Sequence, residues 1–158
     1  MAKAARAVPE GYHTVTPTLT LDDAAQSIDW YKKAFGAEEK SRSVGPDGKI
    51  MHAELKIGDS IVMVNDAMMG TKGPQAYGGS PGGLWLYVDN SDALFKRAVD
   101  AGAKVQVPLD NHFWGDRGGC VNDPSGYSWW IATRAEDLPQ AEIKKRAEEF
   151  FKRMSHAT

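Results

Sequence analysis

The sequence repeats one order of structural elements, and this repeat limits the fold more than any other feature. In the first half, an alternating stretch at Thr14–Leu21 is followed by capping aspartates, a helical pattern over Ala24–Phe35 and Gly36. In the second half, Leu84–Val88 is followed by capping residues and a helical pattern over Asp92–Ala101. The chain therefore consists of two similar units or of one domain that contains them.

Three short stretches with strand character follow each helix, and turn residues separate them. The sequence therefore predicts an α+β fold of two βαβββ modules, whose curved, mostly antiparallel sheets surround a cup. A generic α+β domain without internal symmetry is the alternative. The predicted strands after the helices are Glu38–Val44, Lys49–Ile57, Ser60–Asn65, Lys104–Val107, Arg117–Asn122 and Tyr127–Thr133.

The boundaries of the modules follow from the turns and from a Gly- and Pro-rich stretch. We predict a first module at residues 12–66, a linker at 67–83, a second module at 84–138 and a C-terminal helix and tail at 139–158. This helix is amphipathic, because five apolar side chains recur on one face. They are Ile143, Ala147, Phe150, Phe151 and Met154.

Composition excludes several classes of function. The 158 residues carry a formal net charge of −2, which gives no electrostatic attraction for nucleic acid or for an anionic membrane. No apolar run approaches the ~20 residues of a membrane-spanning helix. Cys120 is the single cysteine and cannot form an intrachain disulfide, so we expect a cytoplasmic protein. Its thiol is either a nucleophile facing the cup or a small buried apolar group.

Several motifs resemble a known superfamily. The segment Leu19-x-Leu21-x-Asp23 with Trp30-Tyr31-x-x-x-Phe35-Gly36 is similar to the opening of a glyoxalase-type module, and Val88-Asp89-Asn90-Ser91-Asp92-Ala93 resembles the second opening. Segments around His52 and Phe113 resemble the phosphonate-operon B-like subgroup. The chain is thus identified as a member of the glyoxalase/bleomycin-resistance (vicinal-oxygen-chelate) superfamily, which includes lyases, isomerases, dioxygenases and drug-binding proteins.

The resemblance implies four positions for metal ligands, and this chain does not fill them with ligands. The positions fall on Thr16, Val62, Gly83 and Trp130. None of these offers an imidazole or a carboxylate, and a shift by one residue is no better. We therefore expect no metal and no other cofactor.

Strand alternation predicts which side chains face the cup. Trp85, Tyr87 and Trp130 form an aromatic wall, which either binds a planar ligand or is ordinary core. The helix side is predicted to hold Leu84, Leu86, Val88, Met51, Ile61 and Met63, and the polar wall to hold Thr16, Thr18, Thr20, His52, Glu54, Lys56, Ser60, Val62 and Val64.

The polar candidates have alternative roles. His52 and Glu54 lie two residues apart, which fits a base with its orienting carboxylate, or a hydrogen-bonded wall without chemistry. Together with His112 they are a conceivable metal site. Arg117 either pairs with Asp116 at the rim or binds a ligand carboxylate.

The sequence favours metal-independent binding of a small, partly aromatic molecule in the cup, as in the drug-sequestering branch of the superfamily, where the function is antibiotic resistance. The alternative is a lyase, isomerase or dioxygenase that uses a non-standard metal set or acid–base residues, with His52 and Glu54 as the candidate catalytic pair. We expect a homodimer, because such modules leave sheet edges and the apolar helix face to be covered.

Overall fold

The computed structural model describes residues 6–155, in which two four-stranded sheets and three α-helices are formed. Residues 156–158 of the predicted tail lie outside this range. The elements are β1 (Thr18–Leu21), α1 (Ala24–Phe35), β2 (Glu38–Val44), β3 (Ile50–Ile57), β4 (Ser60–Asp66), a single 3-10 turn (Pro74–Tyr77), β5 (Gly83–Tyr87), α2 (Ser91–Asp100), β6 (Lys104–Asn111), β7 (Asp116–Asn122), β8 (Ser128–Arg134) and α3 (Gln140–Ser155).

Both sheets have the same topology. Their strand orders are β1-β4-β3-β2 and β5-β8-β7-β6. Strand β1 pairs in parallel with β4, and β5 pairs in parallel with β8, whereas all other pairs are antiparallel. The predicted fold class is therefore confirmed. The chain forms two compact units: the first runs to Pro81 and includes Pro124–Tyr127, and the second comprises Gly82–Asp123 and the chain from Ser128 onward.

Helix α1 begins where the sequence predicts and α2 one residue earlier, and each has a side-chain cap for its free amide groups. Asp23 accepts a hydrogen bond of 2.9 Å from the amide of Gln26, and Asn90 accepts one of 2.9 Å from Ala93. Helix α1 ends at Gly36, whose φ of 67° is the left-handed conformation that glycine adopts without a steric cost.

The last strand of each sheet fixes the first residue of the helix. Asp66 Oδ1 accepts from the amide of Ala24 at 2.8 Å, and Thr133 Oγ1 accepts from the amide of Ser91 at 2.8 Å. The second carboxylate oxygen of Asp66 accepts from the amide of Ile50 at 2.7 Å. These bonds satisfy buried backbone donors, and in each unit they hold the helix against the equivalent face of its own sheet.

The apolar core of the first unit lies on one face of its sheet, and the prediction for β4 was wrong. Val62 and Val64 were expected on the open face, which is the face of the sheet that the helix does not cover. They are instead 5% and 0% exposed and pair with Leu55 and Ala53. Ile61 and Met63 are half-buried on the opposite face. Four consecutive apolar residues give no alternation signal, so the sequence alone could not fix which pair lies under the helix.

Strand β3 contains a second correction. Met51 was expected on the helix side, yet it is 45% exposed, whereas Ile50 is 2% exposed. The pairing of β2 with β3 shifts its register between Ser43 and Val44, so Val44 lies opposite Ile50. A bulge of this kind changes the face of the residues beyond it.

The second sheet follows the prediction more closely. Leu84 pairs with Trp129 and Leu86 with Ile131, and these side chains form the helix side of the sheet. Trp129 is 1% exposed, and its indole N–H donates to Asp123 at 2.8 Å. Burying this large ring with its polar atom satisfied contributes a large part of the apolar core of this unit.

Strand β1 begins at Thr18, later than the predicted Thr14, because Pro17 has no amide hydrogen for the ladder. Its edge is covered by a side chain from late in the chain. The hydroxyl of Tyr127 accepts from the amide of Thr20 at 3.1 Å and donates to its carbonyl at 3.0 Å. This pair of bonds blocks one position of the open edge.

Helix α3 lies in the second unit and has no fully buried residue. Phe150 contacts Phe113 with ring centroids 5.5 Å apart, and Arg146 bridges Glu136 and Glu142. In the part of the chain that the structure describes, no helix is long and apolar enough to cross a membrane.

Candidate functional site

The open face of the second sheet is built on a stack of two tryptophans. Trp85 on β5 pairs directly with Trp130 on the parallel strand β8, and their rings stack with centroids 4.6 Å apart and planes 4° apart. Trp85 remains 43% exposed. The stack therefore presents a flat aromatic surface to solvent.

A second stack lies next to the first. His112 and Trp114 stack at 4.3 Å with planes 8° apart, and the centroid of Trp114 is 6.5 Å from those of Trp85 and of Trp130. The imidazole is fixed because His112 Nε2 lies 2.9 Å from the carbonyl oxygen of Gly118. The sequence interpretation missed this pair, because it considered His112 only as a conceivable metal ligand and assigned no role to Trp114.

Asp116 holds two of the aromatic rings in place. It is 2% exposed, and its Oδ2 accepts from the Tyr87 hydroxyl at 2.8 Å and from the Trp114 indole N–H at 3.0 Å. The hydrogen bond to Asp116, together with burial, raises the pKa of Tyr87. An ion pair between Asp116 and Arg117 was one of the two alternatives that the sequence left open, whereas the structure shows Asp116 as the common acceptor of two aromatic donors.

We call this surface the aromatic face, and it consists of five side chains around one buried carboxylate. The side chain of Tyr87 is the most open of them at 61% exposure. Exposed clusters of this kind are uncommon on soluble proteins unless they bind something. The members of the aromatic face are Trp85, Tyr87, His112, Trp114 and Trp130.

A cleft of about 910 Å³ opens beside the aromatic face within the same unit. The β6–β7 connection forms one side and α3 forms the other, with Phe113 and Phe150 in contact across it. Trp114 and His112 line the cleft as well as the face. The cleft is of a size that accepts a drug-sized molecule.

The open face of the first sheet is polar instead. His52 Nε2 lies 3.3 Å from Glu54 Oε1, and both side chains are partly exposed. A hydrogen bond from Tyr12, followed by those from His52 and Ser41, lowers the pKa of Glu54. The same contact with Glu54 raises the pKa of Tyr12 to about 12. We call these four side chains the polar face; the carboxylate at its centre is ionised near neutral pH.

The two predicted threonines differ in position. Thr18 opens β1 and is exposed, opposite Met63 on β4. Thr16 precedes the strand, and its hydroxyl donates to the carbonyl of His13 at 3.3 Å, within a local turn. Thr18 thus lies on the same side of the sheet as Glu54, whereas Thr16 lies outside the sheet.

Arg117 lies on the helix side of the second sheet. Its guanidinium binds both carboxylate oxygens of Asp92, each at 2.7 Å, and its Nη1 lies 3.4 Å from Asn111 Oδ1. The aromatic face is on the other side of the sheet. Arg117 lies opposite Thr133, whereas its neighbour Gly118 lies opposite Ala132, which is on the same side of β8 as Trp130. The structure thus places Arg117 away from the aromatic side chains.

Cys120 and its neighbouring glycines are packed. Cys120 lies opposite Trp130 and is 5% exposed, and burial raises the pKa of its thiol. A Cβ at Gly119 would lie 2.7 Å from the Phe95 ring, and one at Gly118 would lie 2.7 Å from the Ile131 carbonyl oxygen. The glycines therefore permit close packing and leave no space for a ligand.

The positions at which the resemblance implies metal ligands do not fit a divalent metal. On β4 the residue that faces the open side is Met63 instead of the predicted Val62, and it offers only a thioether. Gly83 and Trp130 offer no donor, and Thr16 has a single neutral hydroxyl. Among residues 6–155, no three His, Cys, Asp or Glu side chains form a group that could hold a metal ion.

Comparison with known proteins agrees with the topology. The profile of the Glyoxalase/Bleomycin resistance protein/Dioxygenase superfamily matches residues 12–131, which is most of the chain. The chain belongs to this superfamily. The match covers β1 through most of β8, so it includes both βαβββ modules.

Individual relatives share the fold over most of their length. An uncharacterized protein of Mycobacterium tuberculosis is 44% identical over 135 residues, which cover 82% of this chain and 79% of the relative. The crystal structure of TioX from Micromonospora sp. ML1 is 28% identical with a TM-score of 0.62 and covers 80% of this chain and all (100%) of TioX.

A PhnB protein from Bacillus cereus is 18% identical with a TM-score of 0.59 and covers 77% of this chain and 99% of that protein. This likeness concerns the fold alone. A shared fold does not determine the function, because one fold supports several chemistries.

Proposed function

We propose that this chain is a cytoplasmic binding protein that takes a small planar aromatic molecule on the aromatic face, without a metal. One observation carries the proposal: the stacked pair of Trp85 and Trp130 leaves a flat ring surface exposed beside Tyr87. A ligand ring on this surface adds about 0.5–1.5 kcal/mol per aromatic contact beyond the burial of area. Such binding lowers the free concentration of a toxic aromatic compound, which is how a resistance protein of the sequestering type works.

The rigidity of the face supports the proposal. Tyr87 and Trp114 are both tied to the Asp116 carboxylate, and His112 is tied to the carbonyl of Gly118. Rings that are already fixed lose little conformational entropy when a ligand stacks on them. The cleft beside the face offers room for a substituent of the ligand.

Acridine tests the proposal, because it is planar and quenches tryptophan fluorescence when it stacks. We expect quenching and a higher melting temperature, since a ligand that binds only the folded state stabilises it. Trp85→Leu and Trp130→Leu should each weaken binding by roughly 1 kcal/mol while the protein stays folded.

Trp30→Leu is the matched control, because Trp30 lies on α1 in the first unit and not on the aromatic face. It should leave the affinity unchanged. Affinity that does not respond to either face variant would mean that the aromatic face is not the binding site. If the rings are only core, the same variants should cost about 1–3 kcal/mol of stability with no binding to lose.

The polar face favours a second candidate function, an enzyme of the lyase or isomerase type with His52 as base and Glu54 as its orienting group. The observation behind it is the His52–Glu54 contact of 3.3 Å, with the Glu54 carboxylate also held by Tyr12. In an acid–base enzyme, His52→Gln and Glu54→Gln keep substrate binding but lower turnover by ~100-fold or more. A binding protein keeps its affinity in both variants. Mass spectrometry then shows that every bound compound is recovered chemically unchanged.

We also propose that the protein is a homodimer in which α3 is covered. The observation is that Phe150, Phe151 and Met154 are 39%, 59% and 56% exposed in one chain. Light scattering at increasing concentration should show twice the chain mass. Phe151→Ser should shift the equilibrium to the monomer, because it removes apolar area from the interface. A monomer mass at every concentration would contradict this proposal.

A further inference from the structure

The aromatic face has a buried negative charge beneath it. Asp116 is 2% exposed, and the two donors described above, Tyr87 and Trp114, share its Oδ2. Both donors belong to aromatic rings, of which Tyr87 is exposed and Trp114 half-buried. The face therefore combines exposed rings with a carboxylate that water does not screen.

These hydrogen bonds also change the rings themselves. A phenol or an indole that donates a hydrogen bond to a carboxylate has more electron density in its ring than one that donates a hydrogen bond to water. The negative electrostatic potential over the ring faces increases accordingly, and this potential is what attracts a cation in a cation–π contact. The effect acts on Tyr87, which is the most exposed member of the face.

Two basic side chains near the face have polar partners, and the charge of Arg134 also acts on Tyr87 and Asp116. Arg134 lies opposite Asp116 in the strand pairing, but its Nε donates to Asp137 Oδ1 at 2.6 Å. His112 lies with Nε2 at 2.9 Å from the carbonyl oxygen of Gly118 and has its ring stacked on Trp114. No lysine or arginine is a member of the aromatic face.

We infer that the aromatic face selects planar aromatic cations, so that a ligand with a fixed positive charge in or next to its ring system binds more tightly than a neutral or anionic molecule of the same shape. This inference rests on the proposed function and adds the charge of the ligand to it. Trp85 and Tyr87 contact the cation, and Asp116 is a positioning residue that acts through Tyr87 and Trp114.

Three acridines of nearly equal shape test the inference on the wild-type protein. N-Methylacridinium carries a fixed positive charge, acridine is neutral at about pH 8, and an acridine carboxylate is negative. We expect the cation to bind roughly tenfold more tightly than acridine, and the carboxylate to bind more weakly than acridine, by tryptophan quenching and by calorimetry at low salt. Equal dissociation constants for the cation and acridine overturn the inference.

The buried carboxylate is tested by Asp116→Asn, which keeps the shape and removes the charge. The preference for the cation over acridine should fall to about threefold or less, while acridine binds as before. Asp123→Asn is the matched control: Asp123 is also buried in the second unit and also accepts an indole N–H, that of Trp129 on the helix side. It should leave the preference unchanged.

Tyr87→Phe gives the same test without a change to a buried charge. It keeps the ring and removes the hydrogen bond to Asp116, so the preference for the cation should decrease in a folded protein. A preference that is unaffected in both Asp116→Asn and Tyr87→Phe overturns the role of the carboxylate.

Failure of this inference differs from failure of the proposed function. If acridine and its cation bind equally and Trp85→Leu weakens both, the aromatic face binds ligands but does not select charge. If no acridine binds, or if Trp85→Leu affects none of them, the proposed function itself is wrong.

Discussion

The open faces of the two sheets share one framework and differ in chemistry. In the first unit Met63 pairs with Thr18, and in the second unit Trp130 occupies the equivalent position and pairs with Trp85. The strand order and the helix anchors are the same in both units. The fold is thus encoded by the helix side of each sheet, which leaves the open side free to carry different functional groups.

One device occurs on both faces. A tyrosine hydroxyl meets a carboxylate in each unit, as Tyr12 with Glu54 and as Tyr87 with Asp116. The carboxylate of the first unit is partly exposed, whereas that of the second is 2% exposed. A similar contact therefore lies within a polar surface in one unit and fixes aromatic rings in the other.

The largest effect is expected from comparing the two sides of the second sheet. Trp129→Ala should lower the free energy of unfolding by about 3–5 kcal/mol, because the ring is 1% exposed and its removal leaves a cavity and takes one hydrogen-bond donor from Asp123. Trp85→Ala should cost about 1 kcal/mol or less, since this ring is already 43% exposed. Urea unfolding measures both, and equal losses would contradict the assignment of Trp85 to an open face.

The next effect concerns equivalent positions on the helix side. Ala53 pairs with Val64 in the first unit, and Gly119 pairs with Ile131 in the second. Gly119→Ala should destabilise by about 1–3 kcal/mol, because the new Cβ would lie 2.7 Å from Phe95 and 2.8 Å from the Val107 carbonyl oxygen. Melting temperature and urea midpoint report it, and a neutral result would mean that α2 can move away from the sheet.

The two tyrosines give smaller effects of similar size. Tyr12→Phe and Tyr87→Phe should each cost about 0.5–1.5 kcal/mol, the net value of one hydrogen bond. In wild type the folded-state pKa of Tyr12 is raised to about 12, so its contribution is complete below the ordinary value of 10.0 and is lost as pH rises toward 12. Ultraviolet titration of phenolate formation measures this. A Tyr12 that titrates at its ordinary pKa would show that the contact with Glu54 does not form in solution.

The smallest effect is expected at the ion pair on the helix side. Arg117→Lys should leave the melting temperature nearly unchanged, because the pair with Asp92 is half exposed to solvent and water screens it. It should leave acridine binding unchanged, since Arg117 faces away from the aromatic side chains. Weaker binding in this variant would return Arg117 to the ligand site that the sequence predicted.

Much of the fold could be predicted from sequence, because the caps and the glycine stops are local signals. Asp23 and Asn90 cap their helices as expected. The face of β4 could not be predicted, because Ile61 to Val64 are all apolar and only the pairing with β3 decides which of them are buried. The same limit applies to the bulge that exposes Met51.

The candidate site could be predicted only in part. Trp85, Tyr87 and Trp130 lie on one face by simple alternation, and the structure brings them together. Asp116 and Trp114 join them through a tight connection between β6 and β7, where no periodic pattern applies. A buried carboxylate that accepts from two aromatic donors has no signature in spacing, so only the three-dimensional structure shows it.

The hydroxyl of Tyr127 bonds to Thr20 across 107 positions of the chain. The first unit includes Pro124–Tyr127, so its edge strand is completed by residues that the ribosome makes long after β1 to β4. During synthesis, the backbone of Thr20 on this edge lacks its Tyr127 partner until residue 127 has left the exit tunnel. This position of the edge is therefore covered only after most of the second module has been made, and not when the first module is complete.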